Sequence, residues 1–282
     1  MELSLALAHE VERNVLTALA EDIGGGDLTA MLTPIDRPAV GVVTCREIAV
    51  LCGAAWFDAC IRRLDPTARV NWLAQDGEFI TAGQIVCEIA ADTRALLTAE
   101  RSALNFLQML SGIATQTRLY VEAIAGTQAK IVDTRKTIPG LRLAQKYAVR
   151  CGGGTNHRLG LYDGILIKEN HIIAAGSITA AMARAGALAN GKVFIQVEVE
   201  TLEQLAEALD AGATMILLDN MDLVRMRQAV GLTAGRAELE ASGGVRPETV
   251  RAIAETGVDR ISVGALTKDV RAIDLSLRHS EG

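Results

Sequence analysis

Six short apolar runs recur along the second half of this chain: "KIVDTRK", "DGILIKEN", "VFIQVEVE", "TMILLDN", "AELEASGG" and "RISVGAL". Helical segments such as "TLEQLAEALDAGA" and "PETVRAIAETG" lie between the later ones. Strands rich in β-branched residues that alternate with helices require a parallel sheet, either doubly wound or closed into a barrel. The strand ends favour the barrel. Each run finishes in polar or glycine residues: Asp133 to Lys136, Lys168 to Asn170, Glu198 and Glu200, Asp219-Asn220, Ser242 to Gly244, and Gly264. Carboxyl ends of barrel strands are where such folds build their sites. Six strands fall short of the usual eight. Either the barrel is incomplete, or a strand is hidden in "LIKENHIIAAG" or the preceding helix.

The first part of the chain reads differently. Leu7, Val11, Val15 and Leu19 form one helical stripe that stops at Gly24-Gly25-Gly26. Strand-like "VGVVTCREIAVLCG" and "ARVNWLAQ" flank helical "AAWFDACIRRL", and "DGEFITAGQIVCEIAAD" alternates with turn residues like a small β unit. A helix is expected from about Thr98 to Ala125. The change of texture places a boundary near residue 115, giving domains 1–115 and 116–282, with the last residues free to pack back on the first domain.

Charge is uneven. The chain carries a formal net charge of -6, which argues against general nucleic-acid binding. Yet Lys130 to His171 holds eight Lys and Arg residues against three acids, and His157 and His171 also fall there. Arg142, Lys146 and Arg150 recur at i, i+4 and i+8 and read as surface and helix-end charges. Arg135, Lys136, Arg158 and Lys168 sit instead at strand ends or in the glycine-rich loop "CGGGTNHRLG". Arginine grips carboxylate or phosphate with two donors, and lysine adds a compact charge. Their convergence implies a substrate with several negative charges.

Acids follow on the later strands. Alternation in "VFIQVEVE" sets Phe194, Gln196, Glu198 and Glu200 on one face, taken as the barrel interior, and Asp219 closes the next strand. Carboxylates inside a barrel need a partner. Mg²⁺ shared with substrate phosphates is one reading, and an ion-pair network with Arg135 or Lys168 is the other. "SGGV" and "VGAL" after the last two strands form either a phosphate cradle or two ordinary tight turns. Asn156 is expected to steady its loop by bonding the backbone. Five scattered cysteines without a CxxC pair read as reduced thiols rather than a zinc site. No apolar run reaches membrane-spanning length, so a cytoplasmic protein is expected.

The stretch "DTRKTIPGLRLAQKYAVRCGGGTNHRLGLYDGILIKENH" closely resembles the quinolinate phosphoribosyltransferase family. "EDIGGGDLTA", "TAERSALNFLQMLSGIAT", "VEVE", "LLDN", "EASGGV" and "ISVGALTK" resemble it too, in the family's order. The resemblance implies an N-terminal α/β sandwich followed by an incomplete (β/α) barrel. It implies that quinolinate and phosphoribosyl pyrophosphate, with Mg²⁺, give nicotinic acid mononucleotide, pyrophosphate and CO₂. Arg135, Lys136, His157, Arg158 and Lys168 would line the quinolinate pocket. Lys136, Lys168, Glu198 and Asp219 would act in catalysis, with Glu198 and Asp219 facing the ribose and the metal, directly or through water or substrate. Ser242, Gly243, Gly244 and Gly264 would hold the 5-phosphate. Arg101 resembles an arginine supplied by a partner subunit, so a homodimer with a shared site is implied. Glu200 and Glu240 are placed on the same interior faces. "DGEFITAGQIVCEI" resembles a lipoyl-type hammerhead, but without a lysine at its turn it reads as scaffold. Lys136 or Lys168 as a Schiff-base amine leaves a lyase open, although the crowd of cations fits an anionic ligand better. The intact motifs resemble the biosynthetic enzyme rather than the branch associated with molybdenum transport.

Overall fold

The computed structural model describes residues 4–34 and 37–280. They form two compact units. One comprises Met1–Arg118, Thr137–Gly153 and Leu266–Gly282; the other comprises Leu119–Lys136 and Gly154–Ala265.

The first unit opens with α1 (Leu5–Ile23), capped by the Ser4 hydroxyl, which accepts the Leu7 N–H. Val11, Val15 and Leu19 are buried as the stripe predicts, and Leu7 is half-buried. Asn14 shares that face because its Oδ1 accepts the indole N–H of the fully buried Trp56 at 3.1 Å. Strands β1 (Pro38–Cys45), β2 (Ala49–Val50), β3 (Arg69–Trp72), β4 (Phe79–Ile80) and β5 (Ile85–Asp92) surround α2 (Ala54–Leu64) in the chain order. α3 (Thr93–Ala123) begins before the expected Thr98. Asp92 explains the difference, since its Oδ1 accepts the N–H groups of Arg94 and Ala95 and so caps an earlier first turn.

In the second unit the six expected strands all form: β6 (Lys130–Val132), β7 (Gly164–Ile167), β8 (Phe194–Val199), β9 (Met215–Asp219), β10 (Glu238–Ser242) and β11 (Arg260–Ser262). They pair in the order β6-β11-β10-β9-β8-β7, parallel throughout. The first strand therefore pairs with the last, while β7 ends the sheet. "LIKENHIIAAG" is not a hidden strand but contributes α5 (Glu169–Ala175). The fold is α/β, with a barrel that lacks closure between β6 and β7; the free side of β6 carries one bridge, from Val132 to Thr155 in the loop after α4.

Helix α4 (Arg142–Cys151) returns to the first unit. It corrects one expectation: Lys146 is only 1% exposed rather than a surface charge. Its neighbours Ala144, Gln145, Tyr147, Ala148 and Val149 are buried as well, so the helix is enclosed on several sides and spacing alone misassigns its charged face. Helices α6 (Ile178–Ala189), α7 (Leu202–Asp210) and α8 (Leu223–Thr233) start at side-chain caps Ser177, Thr201 and Asp222. α9 (Pro247–Ala254) starts with proline, whose missing N–H costs nothing there. α10 (Ala265–Lys268) follows β11. The last strand, β12 (Leu275–Ser280), adds to the first unit's sheet in the order β12-β1-β5-β3, antiparallel at each pairing. The five cysteines are all free and buried. Among the described residues no single helix is long and apolar enough to cross a membrane.

Candidate active site

The carboxyl ends of the six parallel strands surround a pocket of about 340 Å³. Thr134, Arg135 and Lys136 reach it from the segment after β6, and Lys168 from the end of β7. Glu198, Asp219, Glu240 and Ser242 come from β8, β9 and β10. His157 and Arg158 enter from the loop that follows α4. All of these residues belong to the second unit.

Glycines make that loop possible at two positions, for different reasons. Gly153 has φ +90°, a left-handed conformation that side chains disfavour. At Gly152 an added Cβ would run into the Ala114 carbonyl oxygen and lie 2.5 Å from Thr117 Cβ. Beyond them the loop is tied to Asp133, which is fully buried just after β6. Asp133 Oδ1 accepts the His157 N–H at 2.8 Å, and Oδ2 accepts the Asn156 amide at 2.6 Å. Asn156 thus steadies the loop by bonding the side chain of Asp133 after the preceding strand, where a bond to the backbone was expected. Asp163 holds the far side by accepting the N–H groups of Leu159 and Gly160 at 2.7 and 2.9 Å. Arg158 donates from Nη1 to the Gly164 carbonyl at 3.0 Å. Burial first, and then the neighbouring Arg135, pull the Arg158 guanidinium below its ordinary value. Such a crowd of cations favours an anionic guest.

The interior face of β8 carries the predicted groups. Gln196 is buried, and Glu198 Oε2 accepts from Lys168 Nζ at 2.8 Å. Asp219 Oδ2 accepts from Asn220 Nδ2 at 2.8 Å. Each carboxylate retains an oxygen without a hydrogen-bond partner among the described residues. Two carboxylates on adjacent strands, each with an oxygen to spare, suit a hard cation such as Mg²⁺. Glu240 is 1% exposed and lies beneath them, with Arg260 Nε donating to its Oε2 at 3.1 Å. Glu200 stands outside this group: it is exposed in the bend after β8, and its N–H bonds Gln204.

The two glycine turns also have structural reasons. Gly243 and Gly244 have φ +103° and +58°, and a Cβ on Gly243 would collide with Asn220 Oδ1. At Gly264 a Cβ would lie 3.1 Å from Lys136 Cδ. Arg101 is exposed on α3 in the first unit and is not among the residues lining the pocket. The supporting roles of Asp133, Gln196 and Arg260 were not evident in the sequence. Asp133 stands in the quoted "DTRK" motif beside the cations, which gave a signal, whereas Arg260 opens its strand at the end away from the motifs.

Comparisons with known proteins agree with this fold. Family models described as quinolinate phosphoribosyl transferase, N-terminal domain and C-terminal domain, match residues 27–111 and 113–278. The probable nicotinate-nucleotide pyrophosphorylase (carboxylating) of Bacillus subtilis (strain 168) is 44% identical over 257 residues, covering 91% of this chain and 89% of that protein. The Mycobacterium leprae nicotinate-nucleotide pyrophosphorylase (carboxylating) is 44% identical over 270 residues, covering 92% and 94%. The solved structure of the nicotinate-nucleotide pyrophosphorylase from Francisella tularensis superposes with a TM-score of 0.93 at 44% identity, covering 99% of this chain and 98% of that one. With both domain models matched in order over most of its length, this chain belongs to the quinolinate phosphoribosyltransferase family.

Proposed function

We propose that the pocket at the strand ends performs this family's reaction, with its cations and carboxylates dividing the work. The chain is a phosphoribosyltransferase of NAD biosynthesis: quinolinate and phosphoribosyl pyrophosphate become nicotinic acid mononucleotide, pyrophosphate and CO₂. One observation carries the division of roles. Four cations (Arg135, Lys136, Arg158 and Lys168) and three carboxylates (Glu198, Asp219 and the more deeply buried Glu240) share a single pocket.

The cations bind and orient the substrate carboxylates and the pyrophosphate. Holding the pyridine nitrogen in line with C1 of the ribose converts a bimolecular step into a local one, worth up to roughly 7–11 kcal/mol. Glu198 and Asp219 favour the positive charge that develops on the sugar as pyrophosphate departs. They would also hold Mg²⁺, directly or through water or substrate; when bound, this ion neutralises charge on the leaving group. Ser242 and the backbone N–H groups of the Gly243-Gly244 and Gly264 turns cradle the 5-phosphate. Ribosylation makes the ring nitrogen cationic. When the adjacent carboxylate leaves as CO₂, the bonding pair stays on that ring carbon as an ylide stabilised by the cationic nitrogen, and the carbon then takes up a proton from solvent; no general base is needed.

The exposed Arg101 completes the site from a partner subunit, which makes the working enzyme a homodimer or a higher homo-oligomer. Five free buried thiols fit the reducing cytoplasm.

Turnover of quinolinate with phosphoribosyl pyrophosphate and Mg²⁺, following mononucleotide and CO₂ together, tests the reading. Product from the wild type should fall by on the order of 10²–10³-fold in Arg135→Ala and Lys168→Ala. Unchanged turnover in both variants would remove the cationic pocket from the mechanism.

A further inference from the structure

His157 lines the pocket, yet both of its ring nitrogens are already engaged by the protein. The backbone N–H of Arg158 points at Nδ1 at 2.7 Å, and Nε2 lies 2.7 Å from Gln196 Oε1. A backbone N–H can only donate, so Nδ1 is the acceptor and the ring's proton sits on Nε2, facing the Gln196 carbonyl. That contact orients the Gln196 amide, whose Nε2 donates to Glu240 Oε2 at 3.2 Å. Glu240 Oε2 lies 3.7 Å from His157 Nε2 and accepts from Arg260 Nε. A buried chain therefore runs from the Arg158 backbone through His157, Gln196 and Glu240 to Arg260.

Two features separate this chain from ordinary packing. Glu240 Oε1 is buried with no hydrogen-bond partner among the described residues. A carboxylate left half-satisfied in the interior is costly, and its ion pair with Arg260 at 3.1 Å offsets part of that. In addition, the imidazole has spent its hydrogen-bonding capacity on the protein, which leaves the cations to grip the substrate. Resting on the catalytic reading above, we propose that Gln196 and Glu240 are positioning residues for the pyridine dicarboxylate. They lock the His157 ring so that its Nδ1 holds the Arg158 backbone, and they thereby set where the Arg158 guanidinium meets the substrate.

The test pairs kinetics with a spectroscopic signature on the full-length protein. ¹⁵N NMR of histidine-labelled free protein should show His157 as a single Nε2–H tautomer, and Gln196→Leu should convert it to a mixture. The same variant should raise the quinolinate KM about 10-fold, the scale of one lost buried hydrogen bond. The KM for phosphoribosyl pyrophosphate should stay close to wild type, while the Tm falls by a few degrees because His157 Nε2 and Glu240 Oε2 lose their shared partner. Glu240→Gln, which keeps the shape and removes the charge, should move the quinolinate KM in the same direction by a smaller factor. Equal rises in both KM values would reduce the chain to packing and overturn the proposal. So would a wild-type His157 that lacks the Nε2–H tautomer. The tautomer is read without substrate, so absence of wild-type turnover would sink the catalytic reading separately.

Discussion

The two units bury polar groups on different terms. In the first, buried polar groups tie the scaffold together. Asp76 Oδ1 accepts the N–H groups of Gly53 and Ala54 at the start of α2, and Oδ2 accepts the Tyr147 hydroxyl at 2.8 Å. Burial raises the Asp76 carboxyl above its usual range, while these bonds pull it back. Burial likewise raises the thiols of Cys45, Cys52, Cys60 and Cys87, and by itself pushes Cys60 up to about 12, whereas the hydrogen bond with Cys52 lowers Cys151. In the second unit the buried Asp133, His157, Gln196 and Glu240 serve a pocket instead. A parallel sheet covered on both faces would normally be apolar on both. Here the face towards the strand ends is given to chemistry, and the helices cover the other. The difference teaches that burial does not make a group catalytic or structural; its partners do.

The largest expected effects lie on opposite sides of this contrast. Lys168→Ala should abolish most turnover while moving the Tm little, because the Lys168 side chain is partly exposed and bonds only to Glu198 at the pocket wall among the described residues. Trp56→Ala should do the reverse. Its ring is fully buried, with a centroid 5.6 Å from that of Tyr147, and removing it should cost about 3–5 kcal/mol in a denaturant titration. If Lys168→Ala instead unfolds the protein, the contrast is broken. Gly152→Ala comes next. Its methyl would press on Ala114 and Thr117, with an expected loss of about 1–3 kcal/mol, the usual scale of overpacking.

The smallest effect is a slope. Cys60 rises in the folded state from the ordinary thiol value of 9.0 to about 12. The native state therefore keeps its proton where the unfolded state loses it. This contribution is fully present below pH 9.0 and is lost as pH rises through about 12. Melting temperatures between pH 8 and 11 should fall less steeply in Cys60→Ala than in the wild type. An identical slope would show that this thiol does not titrate as its burial demands.

Much of this was legible beforehand. Six strands, the capped helices between them and the cationic loop all follow from short-range rules: alternation, cap residues and glycine turns. Arg135, Lys168, Glu198 and Asp219 could be placed at strand ends from the sequence because a parallel strand carries its side chains to a known end. Lys146 could not. Its burial depends on what surrounds α4, and spacing along one helix carries no information about that. Gln196 could be put on the interior face, but its partners come from residues 39 and 44 positions away. Local sequence therefore determined the elements, their faces and the chemical character of the strand ends. Tertiary structure alone decided which nitrogen of His157 carries the proton, which carboxylate pairs with which cation, and that the barrel stays open between β6 and β7. Those outcomes depend on long-range contacts, and no local periodicity encodes them.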